Sequence, residues 1–151
     1  MTPTKFNIRV YGILFDHRNR ILVADELIHG QRVTKFPGGG LEFGEGTIDC
    51  VIREFMEETN QAIQIIRHVY TTDFFQQSAF NPNHQVMSIY YLVECSSPEA
   101  IITSGKKFDF LINETSDVMS LRWIESEEIQ ESDFTFPIDQ KVAKIIKSGK
   151  Y

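Results

Sequence analysis

The sequence predicts an α+β domain built as a mixed α/β/α sandwich. Strand-like segments come first, one helical segment follows, further strands come next, and a second helix ends the chain, which is the element order of a layered domain. The 151 residues fit one domain, expected over residues 1–151, and 42% hydrophobic and 24% charged residues are ordinary for a globular protein. The sequence has no internal repeat, low-complexity tract or linker.

The first half of the chain is predicted to contain strands joined by turns. Residues 6–15 are rich in β-branched and aromatic side chains, which favours a strand. The polar residues 16–20 and the apolar segment 21–24 predict a turn and a returning strand, so that the two strands would form a hairpin. A short strand is expected at 32–36, and residues 37–46 are expected to form a glycine-rich loop.

A helix is predicted at residues 47–59, with Gly46 or Thr47 as its N-cap. Its apolar residues share one face, which would pack on a core. Glu54, Glu57 and Glu58 stand at i, i+3 and i+4 on the neighbouring arc, so the three acids lie together beside the buried side.

The second half is predicted to contain three more strands and a long helix. Residues 62–73 and 85–95 favour strands, the second of them central in its sheet, with a polar loop or hairpin tip at 74–84. A loop at 96–104 precedes residues 106–112, which favour an ordered turn or a short strand, and the last strand is expected at 120–124. Residues 125–130 predict a short helix, and Pro137 begins a longer one.

The three neighbouring acids call for a compensating charge, because like charges one turn apart destabilise a helix. A hard divalent cation is the simplest candidate, and Mg²⁺ binds through a few carboxylates together with substrate phosphates. Arg53 lies one turn before Glu57 and offsets part of the charge. For Glu57 and Glu58 alone, a solvated acidic helix face is the commoner explanation. The glycine-rich segment and Glu45 upstream shift the balance towards a metal site.

The segment 39–61 resembles the Nudix box, G-x5-E-x7-R-E-U-x-E-E-x-G-U, in which U is a bulky apolar residue. The matching residues are Gly39, Glu45, Arg53, Glu54, Phe55, Glu57 and Glu58. Asn60 replaces the last glycine and Gln61 the last apolar residue. Asparagine is the usual second choice for a left-handed helix C-cap, so Asn60 is expected to take that role. The resemblance implies the Nudix fold, with a mixed β-sheet between helices.

The resemblance also implies a reaction: the Mg²⁺-dependent hydrolysis of a pyrophosphate bond in a nucleoside diphosphate linked to another moiety, such as a nucleoside triphosphate or a nucleotide sugar. Mn²⁺ would be a substitute ion. The matching family positions make Glu57 and Glu58 metal ligands, and Glu54 either a third ligand or the general base. The Gly39 carbonyl is a further ligand candidate, because glycine lets a backbone approach an ion closely. The alternative is a Nudix-fold module that senses a nucleotide without turning it over.

Glu45 and Arg53 are expected to act beside these ligands. Glu45 would hold Arg53 or a metal-bound water, and Arg53 would orient a carboxylate through its planar guanidinium group. With Glu54 and Glu57 they complete the predicted catalytic set. Phosphoanhydride hydrolysis depends on positioning and electrostatics, which such a set can supply.

Substrate contacts are expected outside this helix. Arg9 in the first strand, and Arg32 and Lys35 beside the glycine-rich segment, are candidates for phosphate binding, although a solvated surface cation is the commoner role for each. A nucleobase could stack on an aromatic side chain. The candidates for stacking, each more commonly a core residue, are Phe75, Phe74, Phe80, Phe134, Phe136 and Tyr11.

The net charge of −6 argues against a surface that coats nucleic acid, and it leaves the attraction of an anionic nucleotide to local cations and metal. Cys50 and Cys95 are isolated and are expected to be reduced thiols, which suits a cytoplasmic protein. No apolar run approaches a membrane span, and the short polar start of the chain predicts no signal peptide. The resemblance leaves the oligomeric state open, with a homodimer as one expectation.

Overall fold

Two β-sheets organise the part of the chain that the computed structural model describes, residues 2–110 and 118–151. The strands are β1 (Lys5–Leu14), β2 (Arg20–Ile28), β3 (Gln31–Lys35), β4 (Gly38–Gly40), β5 (Ile63–Thr71), β6 (His84–Cys95) and β7 (Val118–Glu125). The helices are α1 (Thr47–Thr59) and α2 (Pro137–Ser148), with short 3-10 turns at Pro98–Ala100, Ser126–Glu128 and Glu131–Asp133. This combination confirms the predicted α+β class.

The larger sheet has the strand order β4-β1-β6-β5. It is mixed, because β1 and β6 are parallel whereas the other two pairs are antiparallel. β6 lies between β1 and β5, so its predicted central position is confirmed. The smaller sheet, β3-β2-β7, is antiparallel. A parallel partner for β1 requires a long connection, and this one contains β2 to β5 and α1.

The hairpin predicted for the first two strands is wrong. β1 and β2 belong to different sheets, and within the described residues one isolated bridge, between Phe15 and Ile21, joins their ends. The turn itself is present, since Asp16 accepts hydrogen bonds from the backbone N–H groups of Arg18 and Arg20 at 3.0 and 2.8 Å. Both strands are apolar on both faces over the residues next to the turn, so their pattern could not show that the chain passes from one sheet to the other.

Alternate residues of β1 pack into two hydrophobic clusters, which explains the layered architecture. Tyr11 and Ile13 belong to the cluster that contains residues of α2, whereas Val10 and Leu14 belong to the cluster that contains residues of α1. The residues that the two helices contribute are Ile138, Val142, Ala143 and Ile146 from α2, and Cys50, Val51 and Phe55 from α1. The helices therefore lie on opposite sides of β1, as an α/β/α arrangement requires.

The glycine-rich segment contains a strand where a loop was predicted. β4 pairs antiparallel with β1, with Gly38 opposite Tyr11 and Gly40 opposite Arg9. Gly38 has a φ of 147°, and a Cβ built on it would lie 2.8 Å from the Tyr11 ring, so a larger residue would strain this pairing. The pairing holds the backbone of residues 38–40 at the edge of the larger sheet, next to α1.

Other segments differ from the predictions in detail. β2 extends to Ile28, beyond the predicted 21–24, and the short helix predicted at 125–130 is a 3-10 helix at Ser126–Glu128. Residues 107 and 108 form a turn, and the last two residues of the predicted segment 106–112 lie outside the described part of the chain. Within residues 2–110 and 118–151, no helix is long and apolar enough to cross a membrane.

Candidate functional site

Helix α1 is held at both ends, which fixes the place of its acids. At its start, the Gly46 N–H donates to Asp49 Oδ2 at 3.0 Å. At its end, Asn60 adopts the left-handed conformation with a φ of 58°, and its N–H donates to the Met56 carbonyl at 3.1 Å. The C-cap role predicted for Asn60 is confirmed, and the helix ends directly after the acids.

Gly39 lies directly against the carboxylate of Glu54. Gly39 is buried, and a Cβ built on it would lie 2.7 Å from Glu54 Oε2 and closer still to Oε1. Any side chain at this position would occupy the space that the carboxylate fills. Glycine is therefore needed here for the close approach of the β4 backbone to an acidic group of α1.

Arg53 connects the acids of the motif. Its Nε and Nη2 donate to the two oxygens of Glu45 at 3.0 and 2.8 Å. Its Nη1 donates to Glu54 Oε1 at 3.0 Å and to Glu57 Oε1 at 3.3 Å, and its Nη2 also donates to the Gly40 carbonyl at 3.1 Å. These hydrogen bonds with Arg53 lower the pKa of Glu45 to about 2. Arg53 thus holds three acids and the β4 backbone in one network.

Glu58 contacts the backbone of β4, whereas the side chain of Glu57 is mostly exposed. Glu58 Oε2 accepts a hydrogen bond from the Gly38 N–H at 3.1 Å. Burial raises the pKa of Glu58 to about 8, and the nearby acids Glu26 and Glu54 add to the rise while Lys35 opposes it. A positive charge placed among these acids would reverse that shift, because it favours the charged form of a carboxyl group.

The residues at this site have the chemistry of a Mg²⁺ site, although their side chains are arranged for hydrogen bonds to protein groups. In the described part of the chain, no three His, Cys, Asp or Glu side chains converge as a ready metal site. Glu54 and Glu57 share Arg53, and Glu58 binds the β4 backbone. The side chain of Glu57 is 58% exposed and can reorient. Carboxylate and carbonyl oxygens are the ligands that Mg²⁺ prefers, so the donor set fits this ion.

A cavity of about 520 Å³ lies beside this cluster. Residues of β1, β2, β3 and β6, the segment 76–80 and the start of α2 line it. Its polar side chains include Asn7, Arg9, Glu26, Lys35, Ser88 and Asp139, and its aromatic side chains are Tyr11, Phe80, Tyr90 and Phe136. Pockets of this size, with apolar walls and a few polar groups, bind small molecules.

Lys35 connects the cavity to the acidic cluster. Its buried Nζ lies 3.1 Å from Glu26 Oε1 and donates to the Gly38 carbonyl at 3.3 Å. Burial acts to lower the pKa of Lys35, but Tyr11, Glu26 and Glu58 outweigh it, and the net shift of this pKa is upward. The lysine therefore stays charged, and it donates a hydrogen bond to β4, the same strand that Glu58 contacts.

The predicted phosphate-binding and stacking residues separate into two groups. Arg9 and Lys35 line the cavity, and Arg9 Nε donates to the Tyr11 hydroxyl at 2.6 Å. Arg32 and Phe75 do not line it: Arg32 is exposed on β3 and Phe75 is 60% exposed. Two neighbouring cavity aromatics, Phe80 and Phe136, were stacking candidates, whereas Phe134 stacks on Phe36 in the core with ring centroids 4.4 Å apart. The local sequence around these phenylalanines carries no signal for which ring faces the cavity, which the core or solvent.

Sequence reasoning missed Asp139 and Tyr90. The Tyr90 hydroxyl donates to Asp139 Oδ1 at 2.6 Å, and both residues are buried. Burial raises the pKa of Asp139 to about 6, against the opposing effects of the Tyr90 hydrogen bond, Lys35 and Arg9. One signal was available, because Asp139 shares the apolar face of α2 with Val142 and Ala143, at i+3 and i+4. An acid on such a face needs a partner inside the molecule.

The chain is similar to known proteins over nearly its whole length. The model of the NUDIX domain family matches residues 5–145. Two relatives, both named Nucleoside diphosphate-linked moiety X motif 6, are 29% (Mus musculus) and 28% (Homo sapiens) identical over 144 residues. These matches cover 94% of this chain and 42% of each relative, so the chain spans less than half the length of the curated relatives.

The fold is shared with solved structures as well. A structure described as a NUDIX hydrolase from Nitrosomonas europaea superposes with a TM-score of 0.70 at 21% identity, and the match covers 97% of this chain and 91% of that one. The mixed sheet and the two helices thus belong to a known fold. Because the family model matches nearly all of its residues, this chain belongs to the NUDIX family.

Proposed function

We propose that this chain hydrolyses a pyrophosphate bond in a nucleoside diphosphate linked to another moiety, with Mg²⁺ as its ion and Mn²⁺ as a substitute. The observation that carries the proposal is the contact between β4 and α1, where Gly39 meets Glu54 while Glu57 and Glu58 follow on the next turn. Membership of the NUDIX family supports the reaction class. The name of the curated relatives, which refers to a nucleoside diphosphate-linked moiety, supports the substrate class.

The ion would be held by the Gly39 carbonyl and by Glu54, Glu57 and Glu58. All four groups offer hard oxygen donors, and β4 and α1 already bring Gly39 and Glu54 together. When bound, the ion supplies positive charge against the phosphate oxygens and makes water more acidic. Its charge would also relieve the repulsion among the three acids. Arg53 offsets part of that repulsion, because it bonds Glu54 and Glu57.

The chain's own side chains position these groups and move the proton. Arg53, fixed by both oxygens of Glu45, orients Glu54 and Glu57. Glu54 acts either as the third ligand or as the general base that takes a proton from the attacking water. A base in that position contributes roughly 10²–10⁴-fold to the rate of such a reaction.

The cavity would hold the nucleoside. Tyr11, Phe80 and Phe136 offer aromatic walls, and stacking of a base on an aromatic ring contributes about 1–3 kcal/mol. Arg9 and Lys35 would meet the phosphates, because both line the cavity and both lie next to the β4 backbone. The substrate would then extend from the cavity, past these two cations, to the acidic cluster.

A nucleotide-sensing module without turnover is the second candidate function. One observation favours it: Arg53 already binds Glu45, Glu54 and Glu57, so much of the acidic charge is compensated without any metal ion. The two functions differ in turnover. Both functions would use the cavity to bind a nucleotide, but only hydrolysis would use the acidic cluster to cleave a pyrophosphate bond.

The deciding experiment measures the release of phosphate, pyrophosphate and nucleoside monophosphate from a panel of substrates with and without Mg²⁺. The panel includes nucleoside triphosphates, nucleotide sugars, dinucleotides and capped RNA ends. We expect Mg²⁺-dependent turnover of at least one class, and a loss of roughly 10²-fold or more in Glu57→Gln, because a charged ligand is replaced by a neutral one. Glu94→Gln is the matched control, since Glu94 is an exposed acid on β6 outside the site.

Turnover that is equal in Glu57→Gln and the wild-type chain would contradict the metal assignment. Nucleotide binding without turnover of any panel member would favour the sensor. The remaining expectations belong to the same proposal: a cytoplasmic location, for which two free cysteines are suitable, and a homodimer. Cell fractionation and sedimentation analysis would measure these two properties.

A further inference from the structure

The Tyr11 hydroxyl holds the side chain of Arg9 at the wall of the cavity. The two residues stand two positions apart on β1, so their side chains share one face of the strand, and both line the cavity. Arg9 Nε donates to the Tyr11 hydroxyl at 2.6 Å. The central carbon of the guanidinium group lies 5.7 Å from the centroid of the Tyr11 ring. The position of the phenol therefore determines where the guanidinium group lies.

Tyr11 is itself fixed by its neighbours. The residue is only 6% exposed, and its strand pairs on both sides, with Gly38 of β4 and with Tyr90 of β6. The Tyr11 and Tyr90 rings lie 5.3 Å apart, and the Tyr90 hydroxyl is bound by Asp139. The ammonium group of Lys35 lies 5.2 Å from the centroid of the Tyr11 ring. A side chain that is packed in this way keeps its hydroxyl in one place and can position a flexible neighbour.

The hydrogen bond to Tyr11 decides which part of Arg9 is open to a ligand. A guanidinium group carries five N–H donors in a rigid, planar arrangement. Within residues 2–110 and 118–151, the Nε–H is bound by Tyr11, and neither Nη group has a hydrogen bond or an ion pair. A Cβ built on Gly40 would lie 3.8 Å from Arg9 Nη1, so the Nη end of the side chain lies against β4. This strand joins the cavity to the acidic cluster, because its residue Gly39 contacts Glu54.

We propose that Tyr11 is a positioning residue, which holds Arg9 so that both Nη groups present N–H donors to a phosphate of the bound nucleotide. Two N–H groups of one guanidinium bind two phosphate oxygens at once, and this contact is stronger and more directional than a single hydrogen bond. Without the hydroxyl, Arg9 regains rotational freedom and loses the alignment. The inference rests on the proposed function in one respect, the placement of Arg9 at the substrate phosphates.

The test measures how much more tightly a nucleoside 5′-monophosphate binds than the nucleoside alone. The probes are the four common ribonucleosides and their monophosphates, in NMR titrations at about pH 8 without added metal. No probe contains a pyrophosphate bond, so the proposed reaction cannot consume it. The ratio of the two dissociation constants isolates the phosphate contact, because base and ribose are the same in each pair. For at least one pair we expect a ratio of about tenfold in the wild-type chain, since the contact is charge-assisted.

Tyr11→Phe removes the hydroxyl and keeps the ring. The ratio is expected to fall to about threefold or less, whereas the affinity for the nucleoside stays within about twofold. A substitution that merely damaged the cavity would weaken both probes equally. Tyr70→Phe is the matched control and should keep the wild-type ratio, because its hydroxyl bonds Asp73 and the residue does not line the cavity.

A second variant tests whether Tyr11 acts through Arg9. Arg9→Lys keeps the positive charge and removes the planar group, so it should lower the ratio by a similar factor. Adding Tyr11→Phe to Arg9→Lys should then change the ratio by less than about twofold, because two residues that act as one unit are not additive. A further fall in the double variant would contradict the inference, as would a wild-type ratio that persists in Tyr11→Phe. Equal weakening of both probes, ratios near one in all wild-type pairs, or no binding of any monophosphate would also overturn it.

The outcome is separable from that of the proposed function. Turnover in a chain whose ratio does not depend on Tyr11 defeats only the positioning role. A ratio that depends on Tyr11 and Arg9, in a chain that hydrolyses nothing, defeats the proposed hydrolysis and leaves the positioning role standing.

Discussion

Gly39→Ala should separate the geometry of the acidic cluster from the stability of the fold. The added Cβ would lie within 2.7 Å of both carboxylate oxygens of Glu54, whereas ordinary contacts begin near 3.4 Å. The carboxylate must therefore move by about 1 Å, and misplacement by that amount costs on the order of 10²-fold in activity. Because the obstructed atoms end a flexible side chain, and Gly39 has no positive φ, the expected loss of folding free energy is about 1 kcal/mol.

The assay compares kcat/KM for Mg²⁺-dependent hydrolysis with the free energy of unfolding in urea. The matched control is Gly40→Ala in the same strand, because a Cβ there would meet Arg9 Nη1 at an ordinary 3.8 Å. We expect Gly40→Ala to retain activity within about threefold of the wild-type chain. The reasoning is refuted if Gly39→Ala and Gly40→Ala have equal activity, or if Gly39→Ala loses activity only because it unfolds.

Two further predictions concern stability. Gly12→Ala should destabilise the chain by about 1–3 kcal/mol in urea unfolding, because its Cβ would lie 2.8 Å from Cζ of the buried Phe55 and 3.2 Å from Val93. Gly105→Ala is the control, because a Cβ there meets nothing within 4 Å, and equal urea midpoints for the two variants would contradict the packing argument. The pKa of Asp139 is raised from 3.8 to about 6, so the folded chain holds the carboxyl proton more tightly than the unfolded chain does. The stability that the protonated carboxyl contributes is therefore fully present below about pH 4 and is lost as the pH rises through about 6. Asp139→Asn should therefore gain about 1–3 kcal/mol relative to the wild-type chain between pH 4 and 7, and a pH-independent difference would contradict the assignment.

The parts of the site that local spacing determines could be predicted from the sequence. Helix α1 begins and ends where the pattern placed it, and Asn60 adopts the left-handed conformation that its position after the acids required. Glu54, Glu57 and Arg53 lie within one helical turn of each other, so their proximity follows from helix geometry alone. Predictions of this kind need no knowledge of tertiary structure.

The parts that long-range packing determines could not be predicted in the same way. β1 and β2 lie in different sheets, but two apolar segments joined by a turn have the same sequence pattern whether they pair in one sheet or pass between two. The cavity brings Tyr90 and Asp139 together although they are far apart in sequence, and each becomes a site residue only when the larger sheet and α2 meet. Arg32, chosen as a cation beside the glycine-rich segment, and Phe75, chosen as an aromatic residue, lie outside this lining.

Two acids that destabilise the folded chain, Asp139 and Glu58, both lie near Lys35. Asp139 interrupts an apolar helix face and Glu58 is a carboxyl with a pKa raised by burial to about 8, and each of these lowers the stability of the folded chain near neutral pH. Lys35 lies near both, since its charge acts on Glu58 and on Asp139. Destabilising groups concentrated around one cavity and one acidic cluster are expected where a ligand supplies the missing partners. A ligand that brings phosphates to Lys35 and a cation to the acids would supply missing partners to this group of residues, so the fold, the cavity and the proposed reaction support one another.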